Sequence, residues 1–380
     1  MQIGILGAGM VGRAMAIDLA KKFSVTSFDV SGHALQLLTE KDPAVKTIKA
    51  DLGDYSNYNT LLAGFDLVIS AVPGFMGYLA LEAIINAKKN VVDISFFPED
   101  ALELNALAKQ NHVTAIVDCG VAPGMSNLIL GYHNERMQIN SFECLVGGLP
   151  KQRLKPFEYK APFSPMDVLE EYTRPARYVE NGSIVVRPAL SDAEFVDLEN
   201  IGTLESFNTD GLRSLLFTMP RIPFMKEKTL RYPGHIDLMK ALLSAGFFDE
   251  APINFKGIEI SPREFSSTIL FDKWKLGITE PEFTIMKITI SNAEQTICYE
   301  LFDEYDATTQ TSSMSRTTGY TATAALNMLA DRLFTEKGVF PPELIGKDEG
   351  CFNYIMNYLK ERNVVYKRTG TSRKPQGRSI

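Results

Sequence analysis

The chain has 380 residues, 45% hydrophobic and 22% charged, and 39 Lys and Arg against 46 Asp and Glu give a formal net charge of −7. That length suits two or three domains with ordinary packed cores, and the mild acidity argues against nucleic acid or an anionic membrane as a partner. Four scattered cysteines lack the C-x-x-C or Cys/His spacing of a metal site, no run of about 18 apolar residues suggests a membrane span, and no charged leader precedes the first apolar run, so a reduced, cytoplasmic protein without metal is expected.

Apolar strand-like runs fall at residues 3–6, 25–28, 45–48, 67–72, 90–94 and 113–117. Helical spacing of apolar positions occupies 14–22 and 78–88 between them. Pro98, followed by Glu99 and Asp100, suits a further helix start, because Pro fits the first turn and acids fit the positive end of the helix dipole. Strands alternating with helices predict βαβ units. Six strands predict a doubly wound parallel α/β sheet of the Rossmann type, ordered 3-2-1-4-5-6.

The first strand runs into "GILGAGMVGRAMAIDLA", residues 4–20, where Gly7, Gly9 and Gly12 fit G-x-G-x-x-G between a strand and a helix. In that context Gly7 permits the tight turn, Gly9 lets backbone amides approach a pyrophosphate, and Gly12 lets the helix pack closely on the sheet. Met10 and Val11 open the helix whose unpaired N–H groups face the anion. Asp29 ends the second strand twenty residues past Gly9, where a carboxylate accepts ribose hydroxyls and repels a 2′-phosphate. No Arg follows it in "DVSGHAL", so NAD is expected rather than NADP.

The later strand ends extend this site. Asp51 and Leu52 in "KADLGD" sit where the loop borders the adenine, although Asp54 reads equally as a helix cap. Ser70, Ala71, Val72 and Pro73 in "ISAVPG" are expected beside the nicotinamide ribose. Asp93 in "VVDIS" points to the same crevice, either to orient substrate or as a cap. Val121 in "DCGVAPGMSN" is expected to wall the nicotinamide pocket, and Cys119 beside it reads as packing, since nothing near it in sequence lowers its pKa.

Beyond residue 125 the pattern changes. A helix is predicted over 123–137, a strand over 142–146, and antiparallel strands over 283–290 and 296–302, which read as an α+β domain with a mixed or antiparallel sheet. A last helix over 318–333 is expected to pack back on the first domain. The expected divisions are 1–125 for dinucleotide binding, 126–315 for catalysis and dimerisation, and 316–380 for the returning segment. The basic cluster at 367–378 reads as a polar terminus. In the middle region His235 follows Pro-Gly in "LRYPGHID", next to Arg231 and Tyr232. Imidazole, guanidinium and phenol on one loop suit binding a carboxylate and moving a proton, or a hydrogen-bonded turn.

Taken together these segments resemble the saccharopine dehydrogenase-like family, most closely its lysine 6-dehydrogenase branch. The segments that carry the resemblance are "DCGVAPGMSN", "VGGLP" (146–150), "FEYKAPFSPMDVLEEY" (157–172), "TLESFNTDG" (203–211), "KTLRYPGH" (228–235), "SRTTGY" (315–320) and "GVFPPELIG" (338–346). The resemblance implies a homodimer or dimer of dimers and a small amine or amino-acid substrate. It places Thr209, Asp210, Arg231 and His235 in the substrate site. The implied reaction is NAD-dependent oxidative deamination of L-lysine at the ε-carbon. Arg231 would hold the α-carboxylate, His235 would act as base, and Asp93 or Asp210 would attract the distal ammonium. Glu205 and Tyr159 are further candidates. A saccharopine- or carboxynorspermidine-type enzyme acting on a secondary amine is the nearest alternative. Arg213, Arg174 or Arg177 beside Arg231 would mark it. A non-catalytic NAD sensor is the alternative of another class.

Overall fold

A computed structural model describes residues 1–162, 165–199 and 201–372. The chain divides into two compact units, and it passes between them more than once. The first unit holds Met1–Ile139, Arg213–Met219 and Met314–Tyr366, and the second holds Asn140–Leu212, Pro220–Ser313 and the chain from Lys367.

The first unit is built on seven parallel strands. These are β1 (Gln2–Leu6), β2 (Ser24–Asp29), β3 (Lys46–Lys49), β4 (Leu67–Ser70), β5 (Asn90–Asp93), β6 (Thr114–Ile116) and Gly338–Phe340. Their order is β3-β2-β1-β4-β5-β6, with Gly338–Phe340 added beyond β6. The central strands read as continuous apolar runs because helices cover both faces of such a sheet, and Leu67, Val68 and Ile69 of β4 are all buried. Leu6, Val68, Leu81, Ile84, Val91 and Phe97 share one apolar cluster. The expected Rossmann order is present, with one late strand that its three-residue length hid in the sequence.

Late helices also belong to this unit. Asp18 of the helix Met10–Ala20 accepts hydrogen bonds from Thr323 Oγ1 at 2.7 Å, Tyr358 Oη at 2.7 Å and Arg362 Nε at 2.9 Å. A buried carboxylate so far from water is tolerable only with such donors and a guanidinium.

The second unit contains a mixed sheet, as expected. Its main path runs Glu194–Leu198, Gly202–Asn208, Phe224–Arg231, Ser141–Pro150, Glu282–Ser291, Gln295–Glu304, Lys367–Ser372. Phe224–Arg231 and Ser141–Pro150 pair in parallel, and the other neighbours on that path are antiparallel. The helices Pro165–Thr173, His235–Ser244 and Pro262–Trp274 contribute Leu169, Tyr172, Ile236, Met239, Leu270 and Trp274 to a cluster with Phe207 of the sheet.

Two boundaries differ from the expected ones. The first unit continues past residue 125, because the helix Met125–Asn134 buries Leu128, Ile129 and Leu130 within it. The segment expected to return to the first domain is split, because Lys367–Ser372 pairs with Gln295–Glu304 instead of forming a loose tail. Its Lys367 and Arg368 are the charged residues an edge strand tolerates. Residues 373–378 of the basic cluster lie outside the described residues. Among the described residues no helix is long and apolar enough to cross a membrane, and no three His, Cys, Asp or Glu gather as metal ligands.

Candidate dinucleotide and substrate sites

The glycine loop is built as its spacing requires. Gly7 has φ +112°, a region that L side chains rarely enter, and a Cβ there would strike the Ala71 carbonyl. A Cβ on Gly12 would strike the Gly7 carbonyl, so the helix can cross the loop only without one. At Gly9 a Cβ would meet open space. Open space is what close approach of a phosphate needs. Gly9 caps the helix Met10–Ala20 without any side-chain hydrogen bond, and Met10 and Val11 lie in the first turn, whose N–H groups have no helical partner.

Asp29 closes the loop from the side. Its carboxylate accepts the Ala8 N–H at 2.7 Å and the Ser31 N–H at 2.8 Å, tying the end of β2 to the turn after β1. Asp51 accepts the Gly53 N–H, while Leu52 is buried with its carbonyl bonded to Tyr58 Oη. At the end of β4, Ser70 and Val72 are buried and Pro73 is exposed. Ala71 is anchored through its N–H to the Leu6 carbonyl at 2.8 Å. These features fit a dinucleotide at the glycine loop: an uncapped helix start, a clear space over Gly9 and a carboxylate at the end of β2.

Beyond the ends of β5 and β6 lies a second cluster of the first unit. Asp93 is fully buried, and it accepts Ser95 Oγ at 2.9 Å and the Ser95 N–H at 3.1 Å. Burial pushes its carboxyl up to about 7; hydrogen bonds from Ser70 and Ser95 work against this, and the Asp118 charge adds to it. Asp118 pairs with Arg213 Nε at 2.8 Å, and Arg213 Nη1 donates to the Phe97 carbonyl. The Phe96 and Phe97 rings lie 4.9 and 5.4 Å from the guanidinium carbon. Val121 and Cys119 are buried nearby in sequence. Burial, with Asp93 and Asp118 adding to it, pushes the Cys119 thiol far up, so it is inert packing as expected.

In the second unit, His235 is placed differently from a free base. It starts the helix His235–Ser244 and is 2% exposed. Nδ1 lies 2.9 Å from the Phe157 carbonyl, which can only accept, so Nδ1 carries the proton. Nε2 therefore accepts the Tyr172 hydroxyl at 2.9 Å, and Tyr172 Oη in turn accepts Arg231 Nε at 3.0 Å. Arg231 also donates Nη1 to the Leu230 carbonyl and Nη2 to Glu171 at 2.6 Å. Burial, then the Arg231 charge, lowers the imidazole to about 3, against the Phe157 hydrogen bond. Both ring nitrogens are engaged and the ring is neutral. The expected role of His235 as general base thus gives way to one in a polar chain. Arg231, engaged at all three nitrogens, is likewise no open carboxylate clamp. Tyr159 lies over this group, its ring 4.5 Å from the Arg231 guanidinium carbon and 5.1 Å from the His235 ring. Tyr159 Oη and Trp274 Nε1 are the buried polar atoms of this cluster without a hydrogen-bond partner among the described residues.

Asp210 is held bidentately by Arg177, with Nε and Nη2 each at 2.8 Å, and also accepts the Arg177 N–H. Its charge is already matched, so the expected pull on a distal ammonium has no free carboxylate behind it. Arg174 pairs with Glu170 at 3.2 Å. Thr209 Oγ1 lies 3.1 Å from Thr229 Oγ1, and Glu205 accepts the Gly234 N–H at the start of the His235 helix. Tyr172, Glu171 and Asp118 carry no motif of their own in the sequence. Only the ends of the quoted segments "VLEEY" and "DCGVAPG" hinted at them.

Residues 3–116 match the profile of the saccharopine dehydrogenase NADP binding domain, and residues 120–365 match that of the saccharopine dehydrogenase C-terminal domain. The chain belongs to the saccharopine dehydrogenase family. Among curated relatives in this family, an alpha-aminoadipic semialdehyde synthase of Arabidopsis thaliana is 26% identical over 229 residues, covering 54% of this chain and 21% of the relative. A saccharopine dehydrogenase [NADP(+), L-glutamate-forming] of Pyricularia oryzae is 26% identical over 258 residues, covering 65% of this chain and 56% of the relative. The chain thus spans a fifth to little more than half the length of such relatives. The apo saccharopine dehydrogenase (L-Glu forming) of Saccharomyces cerevisiae matches over 97% of this chain and 99% of its own, with TM-score 0.77 and 20% identity, a likeness of fold.

Proposed function

We propose that this chain is an NAD-dependent dehydrogenase acting on a C–N bond of an amino acid, with L-lysine oxidised at its ε-carbon. The observation that carries this reading is the inventory of cations. Arg174, Arg177 and Arg231 are each paired with a carboxylate of the protein. Saccharopine brings three carboxylates, whereas lysine brings one. A chain whose arginines are so widely neutralised from within suits the substrate with the smaller negative charge.

NAD is favoured by Asp29. A carboxylate at the end of β2 accepts ribose hydroxyls and opposes a 2′-phosphate. The family profile and the Pyricularia relative carry NADP in their names, so the cofactor of this chain has to be read from its own residues. NAD supplies the hydride acceptor. Gly9, Met10 and Val11 would face its pyrophosphate and Asp29 its ribose.

The chain's residues then have two tasks. The ε-ammonium must lose a proton before the carbon can lose hydride, and Asp93, whose carboxyl burial pushes up to about 7, is a buried group suited to take it. Ser95 Oγ lies 2.9 Å from Asp93 and 3.5 Å from Ser70 Oγ, so hydroxyls lead from this carboxyl toward the end of β4. The substrate, having lost a proton and a hydride from its ammonium form, is a protonated imine. Water adds, ammonia leaves, and an aldehyde remains.

A second reading, oxidation of a secondary amine of the saccharopine type, is favoured by the names of the relatives. Purified protein given NAD or NADP with lysine or saccharopine separates the readings by reduced cofactor formed. Turnover of lysine with NAD is expected. Turnover of saccharopine alone overturns the lysine reading, and silence with both amines despite tight NAD binding favours a sensor.

A further inference from the structure

The lysine reading lacks a group for the single α-carboxylate, since Arg231 is fully engaged. Arg213 is not. Its Nε and Nη1 are used by Asp118 and the Phe97 carbonyl, while Nη2 has no partner among the described residues and is not among the sealed, unpartnered polar atoms. The side chain is otherwise 5% exposed and flanked by the Phe96 and Phe97 rings. A guanidinium held on two nitrogens and open on the third is oriented before any ligand arrives, so Nη2 can donate a charge-assisted hydrogen bond to a carboxylate without reorganisation.

The backbone at both partners of this ion pair is unusual. Asp118 has φ +52° and Arg213 has φ +46°, left-handed values that cost residues with a Cβ. Arg213 also arrives from an unexpected place in the chain. The short segment Arg213–Met219 belongs to the first unit although the chain on either side belongs to the second. That segment is pinned at its other end too, where Thr218 Oγ1 donates to the buried carboxylate of Glu343 at 2.6 Å. A detour of seven residues, anchored at both ends, delivers one cation past the end of β6. Open α/β sheets bind their ligands outside the carboxyl ends of their strands.

We propose that Arg213, oriented by Asp118 and the Phe97 carbonyl, is the specificity-determining residue that takes the α-carboxylate of the amino-acid substrate. This rests on the lysine reading above for the identity of the ligand, and it assigns to the first unit a role the sequence placed on Arg231. Asp118 acts through Arg213 as a positioning residue. Its carboxylate also tempers the positive charge offered, which disfavours substrates that bring further carboxylates.

The test is binding to the NADH-loaded protein by calorimetry, with L-lysine and with 1,5-diaminopentane, which is lysine without its carboxylate. Arg213→Lys keeps a charge for Asp118 but loses the separate, fixed Nη2 donor. It is expected to weaken lysine about 100-fold and to leave the diamine unchanged. Equal loss for both ligands, no loss for lysine, or no lysine binding by the wild type each overturns the proposal. Asp118→Asn keeps an acceptor for Nε and removes the neutralising charge, so it tightens lysine about tenfold relative to the diamine. An unchanged ratio overturns the proposal even if the lysine variant fails to fold. Lysine binding that depends on Arg213 without NADH formation from NAD leaves this assignment standing and removes the proposed function instead.

Discussion

Tyr172 donates its hydroxyl to Nε2 of His235 across 2.9 Å, and the Phe157 carbonyl on the other side of the ring fixes that direction. The pair turns a histidine suited by sequence to be a base into a neutral acceptor. Tyr172→Phe leaves His235 Nε2 and Arg231 Nε without partners in a buried site. Unfolding in urea should show a loss of about 1–3 kcal/mol. NAD affinity should be unchanged. A variant as stable as the wild type would remove the chain from the cluster's energetics.

His235 also sets a pH dependence. Its folded pKa is lowered to about 3 from an ordinary 6.5, so between those values the unfolded chain binds a proton that the native protein does not. Its contribution is therefore fully present above about 6.5 and is lost as pH falls toward 3. His235→Gln should flatten the slope of unfolding free energy over that window. An unaltered slope would mean that the ring is solvated.

Asp93 acts with the opposite sign. Its folded pKa of about 7 lies above the ordinary 3.8, so the native protein keeps a proton the unfolded chain has released. Stability from this group is present below about 4 and is lost as pH rises through 7. In Asp93→Asn that decline should vanish, together with any ionisation near pH 7 in the rate profile. A profile unchanged by the substitution would show that the proton leaves by another route.

Asp29→Asn keeps an acceptor oxygen for only one of the Ala8 and Ser31 N–H groups, which bond to different carboxylate oxygens, and removes the charge that opposes a 2′-phosphate. The ratio of kcat/KM for NAD over NADP should fall about 10–100-fold, mostly through KM. A wild-type enzyme that already prefers NADP would contradict the role given to this carboxylate.

Asp210→Asn breaks a bidentate pair at which the acid is buried and Arg177 about one-third exposed. Stability should fall by about 1–2 kcal/mol while kcat/KM changes no more than severalfold. A loss of several orders in kcat at unchanged stability would return Asp210 to the substrate site.

The division between what was legible and what was not follows sequence separation. Gly7, Gly9, Gly12 and Asp29 lie within one strand–helix–strand unit, so their spacing alone places them. Tyr172 and His235 are 63 residues apart, and Asp118 and Arg213 are 95 apart. No local pattern announces such pairs. Arg231, Asp210 and His235 were recognised as the right residue types, but their roles depended on Glu171, Arg177 and Tyr172, which consume the charge or lone pair each was expected to offer. Gly338–Phe340 was missed as a strand for a simpler reason, since three residues carry no periodicity.

Product analysis of a single reaction bears most directly on the proposed chemistry. Protein incubated with NAD and L-lysine should form NADH and ammonia in equal amounts. NADH formed only with saccharopine, accompanied by glutamate and no ammonia, would contradict it.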